Sequence, residues 1–262
     1  MNRFLVLSFP LLLIISILHS CSSARKIKQQ NLAKIYKRNI QSLNPEFAVH
    51  HVSDSVSKVY FSINTKELLY SKKENEDNFM AKVMIHYKLI PSYESNIIID
   101  SATSYITDIC RENDCSSQVE RNEIIGDFIL KTSAKKKYLL EITTTDMYRN
   151  QFQIKYVDLD RTSPFVSQNF LLRSFKTGLP LFKKNVGLYE KVFIHYNDSS
   201  AKHFLCRYYH RVFPMAPPPF SIYEPGTFDY QADSIFEVLA DTGGNVIFEA
   251  QKPGFYHFLA DS

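Results

Sequence analysis

Residues 81–89 read Ala-Lys-Val-Met-Ile-His-Tyr-Lys-Leu, and every second residue from Ala81 onward is apolar. The residues between them include Lys82, His86 and Lys88. Because successive side chains of a β-strand point to opposite faces of the sheet, this alternation predicts a strand with one buried and one solvent-exposed face. Sheets with one solvated face are typically antiparallel.

The same period of two recurs along most of the chain. It predicts strands at residues 59–63, 80–90, 97–106, 124–130, 138–147, 152–159, 169–175, 187–196, 204–213, 234–239, 245–250 and 255–259. Strands of this spacing, separated by polar turns, are typical of antiparallel sandwiches. We therefore predict an all-β fold with two consecutive antiparallel β-sandwich (Ig-like) domains.

A boundary between the two domains is predicted at residues 158–164, Asp-Leu-Asp-Arg-Thr-Ser-Pro, where charge, hydroxyl residues and proline cluster. The resulting division is a signal peptide at residues 1–20, a tether with a short helix at 21–46, and β-sandwich domains at 47–160 and 161–262. Limited proteolysis in the boundary is expected to give two stable β-rich fragments.

The composition excludes several classes of protein. Apolar residues make up 45% of the chain and charged residues 22%, which is enough for a packed core. The net charge of +4 is small and scattered, so it does not indicate nucleic-acid binding. With 7 glycines, the chain is poor in the residue that phosphate-binding loops need.

The first twenty-one residues have the pattern of a lipoprotein signal. Arg3 provides a positive charge, an apolar run follows over residues 4–18, and Leu18-His19-Ser20-Cys21 ends it. The run is too short for a comfortable membrane span. We expect Cys21 to become the acylated N-terminus, with chains such as palmitate as the membrane anchor. The alternative is an ordinary secretory signal with an incidental Cys21.

Behind the signal, Leu32, Ile35, Tyr36, Ile40 and Leu43 recur at helical spacing. They predict a short amphipathic helix that lies on the body of the protein as a tether. The alternative is a helix on the membrane surface.

The remaining cysteines are consistent with export to an oxidising compartment. Cys110 and Cys115 flank a polar loop, and a disulfide between them is the prediction. Two free thiols are the alternative, because so short a loop restricts disulfide geometry. Cys206 lies in an alternating apolar segment, which predicts a buried thiol.

No motif predicts catalysis or a cofactor. No histidine pair has the spacing of a compact zinc site, so each histidine is interpreted as a residue on a strand surface. The sequence has no Gly-x-Ser-x-Gly. Asp158 and Asp160 lie close together but in the predicted boundary, where carboxylates are usually only solvated. We predict no metal site, no cofactor and no enzyme activity.

A proline-rich segment after residue 210 is the most distinctive stretch. Its prolines favour an extended conformation and exclude a central strand. As a docking segment for a partner it would offer Phe213, Met215, Pro217, Pro218, Pro219 and Phe220. The alternative is a rigid crossing between sandwich strands.

Several of these stretches resemble the N-terminal region of the GWxTD-domain lipoproteins of Bacteroidota. They are the lipoprotein signal with the short helix, Asn-Pro-Glu-Phe at 44–47, His-Val-Ser-Asp-Ser at 51–55, Val-Tyr-Phe-Ser-Ile-Asn at 59–64, the segment 213–220 and Gly-Phe-Tyr-His-Phe at 254–258. The chain has no Trp, so the Gly-Trp of the namesake domain is absent. We expect a member without that domain or a truncated sequence.

The resemblance implies a location and an architecture, and no activity. We expect an acylated outer-membrane lipoprotein on the periplasmic face, with a non-catalytic scaffold or interaction role and an envelope protein as its partner. The alternative is a ligand-binding module, for example for glycan. Aromatic side chains on the outer face of one sheet would favour that alternative, and aromatics confined to the core would favour the scaffold.

Overall fold

The computed structural model describes residues 43–72, 78–111, 123–198, 200–210 and 231–260. Within these ranges the protein is all-β and its strands are paired in antiparallel sheets. The strands are β1 (Glu46–Ser53), β2 (Val56–Asn64), β3 (Ser71–Lys72), β4 (Asn78–Ile90), β5 (Asp100–Arg111), β6 (Glu123–Lys131), β7 (Lys137–Asp146), β8 (Gln151–Asp160), β9 (Phe170–Ser174), β10 (Lys191–Tyr196), β11 (His203–Tyr209), β12 (Ser234–Leu239), β13 (Asn245–Glu249) and β14 (Phe255–Ala260).

The N-terminal sandwich consists of two sheets. One has the order β1-β2-β6, and the other is five-stranded, with β4 between β5 on one edge and β7 on the other. β8 pairs with β7 and forms an edge of the five-stranded sheet, while the short β3 pairs with the start of β4. The alternating residues described above lie in β4, which is the centre of this sheet.

The inward residues of both sheets form one hydrophobic core. From the three-stranded sheet it takes Val59, Phe61 and Ile63, and from the five-stranded sheet it takes the odd residues of β4 from Ala81 to Leu89 with Leu140 and Ile142. All of these side chains are almost completely removed from water. Burial of apolar surface on this scale stabilises the sandwich by roughly 2 kcal/mol for each large side chain.

The turn between β7 and β8 sets the position of the edge strand. Asn150 adopts a left-handed backbone conformation with φ of 54°, which asparagine tolerates better than most residues. The carboxylate of Asp146 accepts hydrogen bonds from the backbone N–H groups of Tyr148 and Arg149 at 3.0 and 3.2 Å. These contacts fix where β8 begins.

The C-terminal sandwich has two three-stranded sheets, with the orders β13-β10-β9 and β12-β11-β14. Its core contains Val192, Ile194, Phe204 and Val246. Cys206 lies on the inward side of β11, is fully buried and is a free thiol, as the sequence predicts. Burial raises the pKa of the Cys206 thiol to about 12.

The predicted fold class is confirmed as an all-β, antiparallel sandwich fold. The division into two Ig-like domains at residue 160 stays a prediction, although the two cores draw on residues before and after that point. The short helix predicted after the signal falls mainly outside the described residues. No helix in the part of the chain that the structure describes could cross a membrane.

Strand limits differ from the prediction at four places. The run of isoleucines at residues 97–99 is exposed and lies in the loop before β5, which begins at Asp100. β10 begins at Lys191, four residues after the predicted start at 187, and β11 ends at Tyr209. β1 (Glu46–Ser53) has no counterpart among the predicted strands, the first of which was placed at residues 59–63.

Candidate functional site: the outer face of the five-stranded sheet

The five-stranded sheet turns one face towards the core and the other towards solvent. Directly opposite residues of an antiparallel ladder share a face, so the register assigns each side chain. Ile142 is buried, and its neighbour Thr143 is opposite His86 and Ile154. The even residues of β4 and β8 therefore lie on the outer face, together with the odd residues of β5 and β7.

Large apolar side chains are concentrated on this outer face. Their exposed fractions are 59% for Tyr105, 66% for Phe152, 38% for Ile154 and 47% for Tyr156. Tyr93, in the loop between β4 and β5, packs its ring edge-on against Tyr156, with the centroids 5.6 Å apart. The outer face thus presents aromatic and aliphatic surface that the fold itself does not bury.

Polar groups on the same face are held in fixed positions. Lys88 Nζ donates to Glu141 Oε1 at 3.0 Å, and the Tyr156 hydroxyl donates to Glu141 Oε2 at 3.1 Å. These bonds lower the pKa of Glu141, while the bond to Glu141 raises the pKa of Tyr156. The Lys82 ammonium lies 5.4 Å from the centre of the Tyr105 ring. Both carboxylate oxygens of Glu141 are occupied, which suits a positioned recognition surface.

The arrangement is suited to binding. Exposed rings offer large contact area with little loss of side-chain entropy, and fixed polar groups add orientation. A general acid or base needs a free titratable group within reach of a reacting proton. On the outer face, Glu141 is instead held in an ion pair.

A second polar cluster lies inside the N-terminal sandwich. His51 Nδ1 lies 2.8 Å from the Ser57 hydroxyl, which lies 2.9 Å from the Thr132 hydroxyl. Arg161 donates to Ser57 Oγ at 3.1 Å and to Thr132 Oγ1 at 2.6 Å, and it also donates to the Ser53 carbonyl. The cluster therefore ties the residue after β8 to the β1–β2 hairpin.

The serine–histidine pair in this cluster has the geometry of a nucleophile and base, but not its setting. The Ser57 side chain is completely buried, and its hydroxyl oxygen also accepts a hydrogen bond from the Arg161 guanidinium. The second His51 nitrogen, Nε2, contacts the Asp160 carbonyl at 3.0 Å, and burial lowers the pKa of His51. A substrate has no path to the hydroxyl, so the cluster is structural.

The prediction that every histidine lies on a strand surface is wrong for His50 and His51. Both are buried in the middle of β1. His51 is held by its two ring contacts, and His50 packs against His195 of β10 with the ring centroids 5.5 Å apart. A prediction of the β1–β2 hairpin with His51 opposite Ser57 could have shown that His51 has a polar partner across the hairpin.

Burial lowers the pKa of His50 to about 4, and the nearby positive charges of His195, His51 and Arg173 contribute. The Nε2 atom of His50 is buried, and no group in the described part of the chain forms a hydrogen bond with it. His195 Nδ1 lies 3.0 Å from the Asn245 side-chain oxygen. Among the described residues, no group of three or more metal-ligating side chains is present.

Several predicted site residues lie outside the described residues: Cys21, Cys115 and the proline-rich set Phe213, Met215, Pro217, Pro218, Pro219 and Phe220. Cys110 lies in β5 and is disulfide-bonded. Its pairing with Cys115 stays a prediction.

Asp158 and Asp160 belong to the end of β8 rather than to a free linker. Asp160 Oδ1 accepts from the hydroxyl and the backbone N–H of Thr162 at 2.6 and 2.9 Å, and Oδ2 lies 3.0 Å from Lys137 Nζ. These hydrogen bonds lower the pKa of Asp160 to about 2. A carboxylate held ionised in this way cannot act as a general acid near neutral pH.

The chain matches no protein-family model and no curated protein.

Proposed function

We propose that the protein is a non-catalytic, acylated lipoprotein of the outer membrane that holds an envelope protein on the outer face of its five-stranded sheet. The signal followed by Cys21 supports the anchor. The exposed rings and isoleucines of the outer face support the binding role, because apolar surface left uncovered by the fold is characteristic of interaction sites. That exposed surface is the observation on which the proposal rests.

A protein partner fits this surface better than a glycan. Ile109 and Ile154 lie exposed among the rings, and aliphatic surface gains most from contact with other apolar side chains. The second candidate is glycan binding. It is favoured by the rings of Tyr105, Phe152 and Tyr156, which lie on the outer face of one sheet, the arrangement expected above of a ligand-binding module. A sugar would stack on such rings and accept hydrogen bonds from the fixed polar groups.

The binding role is tested by removing rings that do not belong to β8. The double variant Tyr93→Ala/Tyr105→Ala shortens two exposed side chains, and Phe165→Ala, at an equally exposed ring elsewhere, is the matched control. Cross-linking in intact membranes with quantitative mass spectrometry compares the three proteins. We expect the same envelope protein to be lost from the double variant and retained by the control.

Equal recovery of all cross-linked proteins from the double variant and the control would contradict the proposal. Binding of purified lipopolysaccharide or soluble oligosaccharides by calorimetry distinguishes the second candidate. Loss of that binding in the double variant alone would favour a glycan.

The anchor is tested separately. Cys21→Ser removes the acylated residue, so we expect the protein to move from the detergent phase to the aqueous phase on phase partition and to lose metabolic labelling with a palmitate analogue. Cys206→Ser, at a buried thiol, is the control and stays in the detergent phase. Retention of Cys21→Ser in the detergent phase would refute acylation at this residue.

A further inference from the structure

β8 is an edge strand with an open side. It pairs with β7 along its whole length, and no other strand among the described residues pairs with it. In a strand, the N–H and C=O of one residue point to the same side and those of the next residue to the other side. Every second residue of β8 therefore directs its backbone groups away from the sheet.

Hydrogen bonds identify which residues these are. The N–H of Asp160 donates to the Gln168 side chain at 2.9 Å, and the carbonyl of Asp158 accepts from it at 2.6 Å. The Asp160 carbonyl contacts His51 at 3.0 Å. All of these partners lie outside β7, so the even residues of β8 face the open side.

The backbone groups at the C-terminal end of the open side are thus paired within the protein. Those at the centre of the strand are not paired in this way. Among the described residues, the outward backbone groups of Phe152, Ile154 and Tyr156 have one contact, a long one of 3.3 Å from the Gln153 side chain to the Ile154 carbonyl. Lys155, the one charge at residues 151–157, lies on the opposite face and donates to the Pro45 carbonyl. An apolar edge without a blocking charge is a template for another strand.

We propose that a second copy of this chain occupies this edge, with the two β8 strands antiparallel about a two-fold axis at Ile154. In this register Ile154 is opposite Ile154 of the second copy, and Phe152 is opposite Tyr156. Two outward residues that meet in an antiparallel pair exchange both backbone bonds, which gives about six hydrogen bonds across the axis.

The sequence of β8 is self-complementary in this register. Each copy pairs the Phe152 ring with the Tyr156 ring, and aromatic cross-strand pairs stabilise sheets. Lys155 is opposite Gln153, so like charges do not face each other. A shift by two residues sets Phe152 opposite Asp158 or Tyr156 opposite Asn150, and the aromatic pairs are lost.

The resulting dimer has one continuous sheet across both copies, and the two outer faces become neighbours. The inference is independent of the partner proposed for the outer face, since it depends on the backbone edge of β8. Loss of the dimer leaves Tyr93 and Tyr105 in place. Although Tyr93 contacts Tyr156, loss of those two rings leaves the backbone edge of β8 in place.

The test uses charges on the two-fold axis. Ile154→Lys and Ile154→Glu each place like charges face to face, and Ile109→Lys is the matched control on β5 of the same outer face. Sedimentation velocity of the full chain in mild detergent, over a concentration series, measures the dimer. We expect the wild type and the control each to form a dimer. In each Ile154 variant we expect the dissociation constant of the dimer to rise about tenfold or more.

Mixing Ile154→Lys with Ile154→Glu brings opposite charges together, and we expect the mixture to form a heterodimer. In the same register, Phe152→Cys mixed with Tyr156→Cys gives a disulfide cross-link between copies, whereas either variant alone does not. Circular dichroism checks that each variant keeps its β-structure. A monomeric wild type, or a dimer unaffected at residue 154, would overturn the proposal.

Discussion

Arg161 links the end of β8 to the β1–β2 hairpin through one side chain. Its guanidinium reaches Ser57, Thr132 and the Ser53 carbonyl, while its own backbone N–H donates to Lys136. The planar fork of arginine can satisfy several acceptors at once, which lysine cannot do. The residue that the sequence places in a domain boundary is therefore an anchor.

Arg161→Ala is expected to lower the free energy of unfolding by about 2–3 kcal/mol, because buried hydrogen bonds and packing are lost together. Lys137→Ala removes an exposed partner of Asp160 and should cost about 0.5 kcal/mol or less. Urea denaturation of both variants measures the difference. Equal, small losses would show that the cluster does not stabilise the fold.

The buried ring of His50 makes stability depend on pH. In the folded protein His50 takes up its proton near pH 4, and in the unfolded chain near pH 6.5. Between these values the unfolded state binds more protons, so the free energy of unfolding falls as the pH drops from about 6.5 to 4. The full effect is about 3 kcal/mol.

His50→Gln should remove most of this pH dependence, and His257→Gln, on β14, should not. Thermal unfolding in a pH series from neutral to mildly acidic compares the two with the wild type. An unchanged slope in His50→Gln would assign the effect to other groups.

At the scale of elements, the pairing of β2 with β6 depends on a glycine. Phe61 is opposite Gly126, and a Cβ at that position would lie 2.3 Å from the tip of the Phe61 ring. The ring covers the glycine and fills the space that a side chain would take. The two residues are therefore coupled.

Gly126→Ala is expected to destabilise the protein by about 1–3 kcal/mol through overpacking. In the Phe61→Leu background the same change should cost less, because the ring atoms are gone. A double-mutant cycle by urea denaturation measures this coupling. Additive effects would contradict the predicted contact.

The elements also show what periodicity can and cannot predict. Strands such as β4 and β7 were predicted because their alternation follows from facing a core on one side. The isoleucines at residues 97–99 were misassigned, since apolar character alone does not distinguish a buried strand from an exposed loop. The outer face was not predicted, because it depends on the register within two strand pairs, β4–β5 and β7–β8, and on the pairing of β4 with the distant β7.

At the scale of the whole molecule, the two cores are joined by contacts as well as by the chain. β1 contacts the turn at Ser167–Asn169 and β9, and His50 packs on His195. These contacts join residues on opposite sides of the exposed segment around Phe165. Sequence alone could predict this segment from its Pro and Ser, but not the contacts that bridge it.

Limited chymotrypsin cleavage at Phe165 is therefore expected to give two β-rich products that co-elute in size-exclusion chromatography at neutral pH. Phe165→Ala, which lacks the ring that chymotrypsin prefers, is the control and should resist this cut. Products that elute separately would indicate that the bridging contacts are too weak to hold the two cores together.

The reactivity of the buried Cys206 thiol measures how often the C-terminal sandwich opens. With a pKa near 12, the sulfur is almost entirely protonated at neutral pH, and only a thiolate reacts readily with alkylating reagents. Modification therefore waits until the C-terminal sandwich opens and exposes β11. The alkylation rate of Cys206, followed by peptide mass, therefore gives the frequency of this opening. No label has to be introduced into the protein.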